Sequence, residues 1–170
     1  MKIILLSVLF IMPIAIGFHL SKKTEKCYKN LKYLNMCLEK IHIQITQYLI
    51  PLGDIFYELS KEEIKPMDEI FLSICKGIEN GGQTFKYVFY SEFELKKETL
   101  GFANEEMDLI KNISELMGSS NVTGQEKYLA GLIKSSEKLL TYREEQYKTK
   151  ASSYKKLGIL AGAFLVIVFL

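Results

Sequence analysis

CYKNLKYLNMCLEKIHIQITQY, residues 27 to 48, is the stretch that decides the fold. Its apolar positions Cys27, Leu31, Leu34, Leu38, Ile41, Ile45 and Tyr48 are separated by 4, 3, 4, 3, 4 and 3 residues. That spacing lines one face of an α-helix, whereas a strand would throw the same residues onto both faces. The seam lasts three heptads and predicts one long helix from Thr24 to Leu49.

Downstream the period stays helical. Pro51 suits the first turn of a new helix, whose inward face would be Leu52, Ile55, Phe56 and Leu59. Ser60 with Glu63 reads as a capping box for the next helix, interrupted or restarted by Pro66. Met67, Ile70, Phe71, Ile74 and Ile78 form another stripe, closed by Asn80-Gly81-Gly82. TFKYVFYSEF is the ambiguous run, rich in strand-favouring residues. Phe85, Val88, Phe89 and Phe93 fit a helix face and no partner strand is visible, so it is read as helix. Asn104, followed by Glu105 and Glu106, opens a helix through Met107, Ile110, Ile113 and Met117 to Gly118. Thr123 with Glu126 reads as a second capping box, and no proline follows. Leu129, Leu132, Ile133, Leu139 and Leu140 would be the buried side of that last helix, which turns polar beyond Arg143.

The two ends are apolar. Residues 3–20 carry no charge, and Leu157 to Leu170 are fourteen consecutive apolar or glycine residues, about 21 Å as a helix against roughly 30 Å of bilayer hydrocarbon. The first run fits a retained anchor by length and, through Lys2 and Ala15-Ile16-Gly17, loosely fits a cleaved signal peptide. The second run favours the anchor, since two anchors can pack together. The expected organisation is an N-terminal transmembrane anchor (1–21), a helical cytoplasmic domain (22–156) and a C-terminal transmembrane segment (157–170). The fold class is all-α: a helical bundle between two transmembrane helices, with long first and last helices.

Every acidic residue, and every basic one except Lys2, lies between residues 21 and 156. This near-neutral middle excludes a nucleic-acid footprint, which needs a clustered basic excess. Lys22, Lys23, Lys26 and Lys29 follow the first apolar run, and Lys148, Lys150, Lys155 and Lys156 precede the second. Basic residues beside a membrane segment tend to stay cytoplasmic, which puts the middle domain in the cytosol. Lys22, Lys23, Lys26, Lys155 and Lys156 can set topology or meet lipid headgroups. Gly158, Ala161 and Gly162 offer a small-residue face to Ala15 and Gly17 of the first anchor.

Chemistry is sparse. Three cysteines, Cys27, Cys37 and Cys75, form no disulfide framework, and buried thiols account for them. The sequons at Asn112 and Asn121 matter only in a glycosylating lumen and are taken as chance. No phosphate loop, HExxH, GxSxG or CxxC occurs. A pair such as Cys75 with His42 is the one conceivable nucleophile and base, against buried thiols and a helix-face histidine as the plainer account. No catalytic residue, cofactor site, metal site or small-molecule substrate is expected from these residues, although the absence of a motif does not by itself make the chain no enzyme.

The order of these pieces resembles the stage III sporulation protein AB family of endospore-forming bacteria over the full length. The residues that carry the resemblance are LKYLNMCLEKIHIQITQYLIPLGDIFYELS, the junction ISELMGSSNVTGQEKYL and the end LGILAGAFLVIVFL. Where the family tends to have an acidic residue near 44, tyrosine and glycine near 47 and 48, and tryptophan near 85, this chain has Gln44, Gln47, Tyr48 and Phe85. The resemblance implies a non-catalytic membrane platform in the mother-cell membrane facing the forespore, part of a secretion-like channel complex, beside a cytoplasmic ATPase. It also implies a domain similar to the type II secretion inner-membrane F protein, and partners among the other channel proteins, with a homo-oligomer compatible. The alternative is a two-anchor helical adaptor or lipid-contact protein unrelated to sporulation.

Overall fold

The computed structural model describes residues 2–118 and 122–169, and every element among them is α-helical. Chain order gives α1 (Lys2–Thr46), α2 (Leu52–Ser60), α3 (Met67–Glu79), α4 (Phe85–Leu95), α5 (Lys97–Leu100), α6 (Asn104–Met117) and α7 (Val122–Phe169). Two compact units result, Met1–Lys29 with Thr141–Leu170, and Asn30–Leu140. Helices α1 and α7 contribute residues to both.

The second unit is built on the α1 seam. Leu31, Leu34, Leu38 and Ile41 are each no more than 2% exposed, so this face of α1 is a core wall. The seam ends sooner than its period suggests. Helix α1 stops at Thr46, Leu49 sits at φ +53°, and Tyr48 is exposed rather than inward. A left-handed leucine breaks the helical path, and the apolar face no longer reaches the core.

Helix α2 lies beside α1, with Ile55, Phe56 and Leu59 buried, and α3 packs against α2 with Met67, Ile70, Phe71, Ile74 and Cys75 buried. Leu52 is half-buried and Ile78 exposed, so both stripes are one residue shorter than expected. Ser60 is not a cap for α3. It ends α2, its hydroxyl donating to the Tyr57 carbonyl at 2.7 Å, and α3 starts directly after Pro66, where an absent N–H leaves nothing unsatisfied.

The TFKYVFYSEF run is helix, as α4. Thr84 supplies the cap, its hydroxyl oxygen accepting from the Tyr87 N–H at 3.4 Å. Phe85, Phe89 and Phe93 recur every four residues, so a helix sets all three against one wall. Phe56 stacks on Phe71 at 5.6 Å and on Phe85 at 5.7 Å, and Phe89 meets Phe93 at 5.0 Å. Burying each such ring is worth about 1.5–3 kcal/mol, enough to override a strand propensity spanning only about 1 kcal/mol.

Helix α6 begins after Ala103, whose N–H donates to the Glu106 carboxylate at 2.8 Å. Asn104 is thus the first helical residue and not the cap, which has no side-chain acceptor; Glu106 alone supplies the reciprocal half of a capping box. Between α4 and α6 stands the one-turn α5, closed by the left-handed Gly101 (φ +75°) with buried Phe102 behind, an element too short to show a period in the sequence. In α7, Leu129 is buried while Leu132, Ile133, Leu139 and Leu140 are half-buried. Ser136 is fully buried among them. The side chain of Thr123, and Asn121 altogether, lie outside the described residues.

Candidate functional site

Consider first the unit made of Met1–Lys29 and Thr141–Leu170. Its two helical segments run antiparallel at backbone contact. A Cβ built on Gly162 would lie 2.8 Å from the Phe10 carbonyl oxygen, and one on Gly158 would lie 2.7 Å from that of Pro13. A Cβ on Gly17 would collide with the Tyr154 carbonyl and come 3.2 Å from the Gly158 Cα. Only glycine admits such closeness, and in apolar surroundings close backbone packing is what holds helices together.

Of the five residues expected to pack, Gly17, Gly158 and Gly162 are therefore brought together. Ala15 and Ala161 are exposed and point elsewhere. Two others sit in the seam unannounced, Ser21 and Ala151, both buried. Their signal was present in the register: Ser21 follows Gly17 by four residues and Ala151 precedes Gly158 by seven, the helical repeat along one face.

The outward surface of this unit is apolar. Ile11, Met12, Leu160, Phe164 and Ile167 are each at least 60% exposed. Contiguous exposure of large apolar side chains marks a surface that something other than water covers. One helix among the described residues, within Glu126–Val168, is long and apolar enough to cross a membrane by length and composition.

Below this surface stand the lysines. Lys22, Lys23, Lys26, Lys155 and Lys156 are all exposed. Lys155 Nζ lies 5.6 Å from the Phe18 ring centre, a cation over an aromatic face, and Tyr28 stacks on Tyr147 at 5.3 Å. Glu25 is the acid among them. Its bond from Lys29 at 2.6 Å, aided by the charges of Lys155 and Lys22, holds the carboxyl below the usual carboxylate range.

In the unit Asn30–Leu140, polar chemistry concentrates where α1 meets α2. Glu62 accepts from the Tyr33 hydroxyl at 2.7 Å and from Lys40 at 2.7 Å. Burial pulls this carboxyl upward, but those two hydrogen bonds outweigh it and leave its pKa lowered. Beside them Cys37 is pushed up to about 12, chiefly by burial. Cys75 is likewise raised by burial and faces the Gly53 carbonyl. A raised thiol is the opposite of an activated nucleophile, and no hydrogen bond joins Cys75 to His42, whose Nε2 is buried without a partner. All three cysteines are buried thiols outside any disulfide. No cluster of three or more metal-ligating side chains occurs among the described residues.

A packed helical domain joined to an antiparallel helix pair with an apolar exterior defines the class: an all-α protein with a two-helix apolar segment. The chain belongs to the stage III sporulation protein AB family, whose sequence pattern matches residues 2–170. Stage III sporulation protein AB of Bacillus subtilis (strain 168) is 20% identical over 154 residues, 91% of this chain and 90% of that protein. A solved structure of stage III sporulation protein AB superposes with a TM-score of 0.66 at 16% identity, covering 72% of this chain and 96% of the other. That likeness shows the same helical fold.

Proposed function

We propose that this chain is a non-catalytic membrane platform of the channel complex between mother cell and forespore. Its α1 and α7 apolar segments enter the mother-cell membrane as a pair, and the Asn30–Leu140 unit stands in the cytosol. There it meets a cytoplasmic ATPase and other channel proteins, and needs no cofactor or small-molecule substrate. Family membership supports the sporulation role. The carrying observation is the apolar exterior of the glycine-packed helix pair, bordered by lysines, because hydrocarbon is the medium in which such an exterior is stable.

Topology is tested by thiol labelling in intact sporulating cells. With Cys27, Cys37 and Cys75 replaced by alanine, a cysteine at exposed Lys76 should react with a membrane-impermeant maleimide only after permeabilisation. Labelling of intact cells would overturn the cytosolic placement. Deletion of the gene should arrest development after engulfment, whereas normal spores would leave the adaptor unrelated to sporulation as the reading.

A further inference from the structure

The lysines beside the helix pair are unevenly used. Residues 22–29 and 148–156 hold eight lysines and one acid, Glu25, a charge of +7 in a chain whose total is +2, leaving −5 for everything else. Lys29 is engaged by Glu25 at 2.6 Å and Lys148 by Glu144 at 2.8 Å. Five others, Lys22, Lys26, Lys150, Lys155 and Lys156, enter no ion pair among the described residues, and two of them, Lys22 and Lys155, are set apart by their surroundings. They stand on different helices of one unit, both within electrostatic reach of Glu25. Phe18, one turn from Lys22, lies under the Lys155 ammonium and is 41% exposed. One of these cations over an open aromatic ring and the other one turn along from that ring, at the margin of an apolar exterior, have the amphipathic outline of a phospholipid: an anionic head over a hydrocarbon chain.

We infer that Lys22, Lys155 and Phe18 form a binding site for an anionic phospholipid, the lysines holding the headgroup and Phe18 contacting the upper acyl chain. The inference rests on the membrane reading above. The occupant is a lipid and not a soluble phosphate, because the ring and the apolar surface beyond it would otherwise face water. It is anionic, because the one nearby acid, Glu25, is already engaged by Lys29, so a neutral headgroup would leave both cations uncompensated. Lys23, Lys26 and Lys156 add attraction for a negative surface without shaping the site.

The test uses the full chain reconstituted in phosphatidylcholine vesicles with a trace of spin-labelled lipid. The motionally restricted fraction is compared between labelled phosphatidylglycerol and labelled phosphatidylcholine. A preference for phosphatidylglycerol of roughly five-fold or more is expected, the order of magnitude of one lysine near an anionic surface. The double variant K22Q/K155Q should lower that preference to near one, while K26Q/K156Q, with the same loss of charge, should keep most of it. Equal loss in both variants, or no preference in the parent, overturns the site. Failure of the parent chain to float with neutral vesicles would instead overturn the membrane reading.

Discussion

Gly77 and Gly131 both lie inside helices, yet a methyl group at each meets different surroundings. A Cβ on Gly77 of α3 would fall 2.6 Å from Val88 Cγ1, and Val88 is a stiff, buried side chain of α4. The substitution G77A should therefore destabilise the domain by about 1–3 kcal/mol, the usual cost of overpacking. At Gly131 of α7 a Cβ meets nothing within 4 Å, so G131A should stabilise by about 0.4–1 kcal/mol through helix propensity and a less disordered unfolded chain. Chemical denaturation of the solubilised chain reads both, and the same sign for the two would refute the packing argument. Gly158 is a third case, since its neighbours are the Pro13 carbonyl and the Gly17 Cα, which cannot rotate away. In G158L the two helices of the apolar unit must separate. A disulfide engineered between flanking positions of α1 and α7 should then form at least several-fold more slowly than in the parent.

At the scale of elements, the helix stripes were legible in the sequence wherever burial on one face was uninterrupted. The α1 seam from Cys27 to Ile41 and the Met67–Ile74 stripe are the clearest cases. What escaped were the joints. Leu49 at φ +53° and Glu63 at φ +53° are backbone choices with no glycine to announce them, and the turn of α5 is too short to leave a period. The seam of the apolar unit was half legible: its glycines stand out, but Ser21 and Ala151 are ordinary residues until a facing helix is known. The α4 start predicts its own test, since T84A removes the cap and should cost about 1 kcal/mol.

The α1–α2 contact also titrates. Cys37, at an ordinary thiol value of 9.0 when unfolded, holds its proton to about 12 in the fold. Between those values the unfolded chain sheds a proton that the folded chain keeps, so stability is complete below pH 9 and falls towards pH 12. Glu62 acts in the opposite direction, its lowered pKa making a contribution that is present above the ordinary carboxylate range and lost as pH falls through the folded value. Denaturation midpoints between pH 8 and 12 should decline less steeply in C37A than in the parent, whatever the variant's stability at pH 7.

For the whole molecule, the chain passes between its two units twice, once within α1 and once within α7. If the proposed platform transmits force through those helices, a flexible Gly-Ser insertion beside Ser152 should leave the Asn30–Leu140 unit folded and abolish sporulation. Full sporulation with the insertion would show that stiff transmission is unnecessary. Circular dichroism and spore counts on the same strain separate folding from function.

The contact of Gly17 with Gly158 also orders events in time. At about 5–20 residues per second, Gly17 leaves the ribosome on the order of ten seconds before Gly158 has been translated. During that interval the α1 groove around Gly17 has no mate, while most of the Asn30–Leu140 unit is already being made. Closure of the helix pair consequently waits until Gly158 has been made, and a nascent chain arrested before Thr141 carries an open groove that any small-faced apolar helix nearby could occupy.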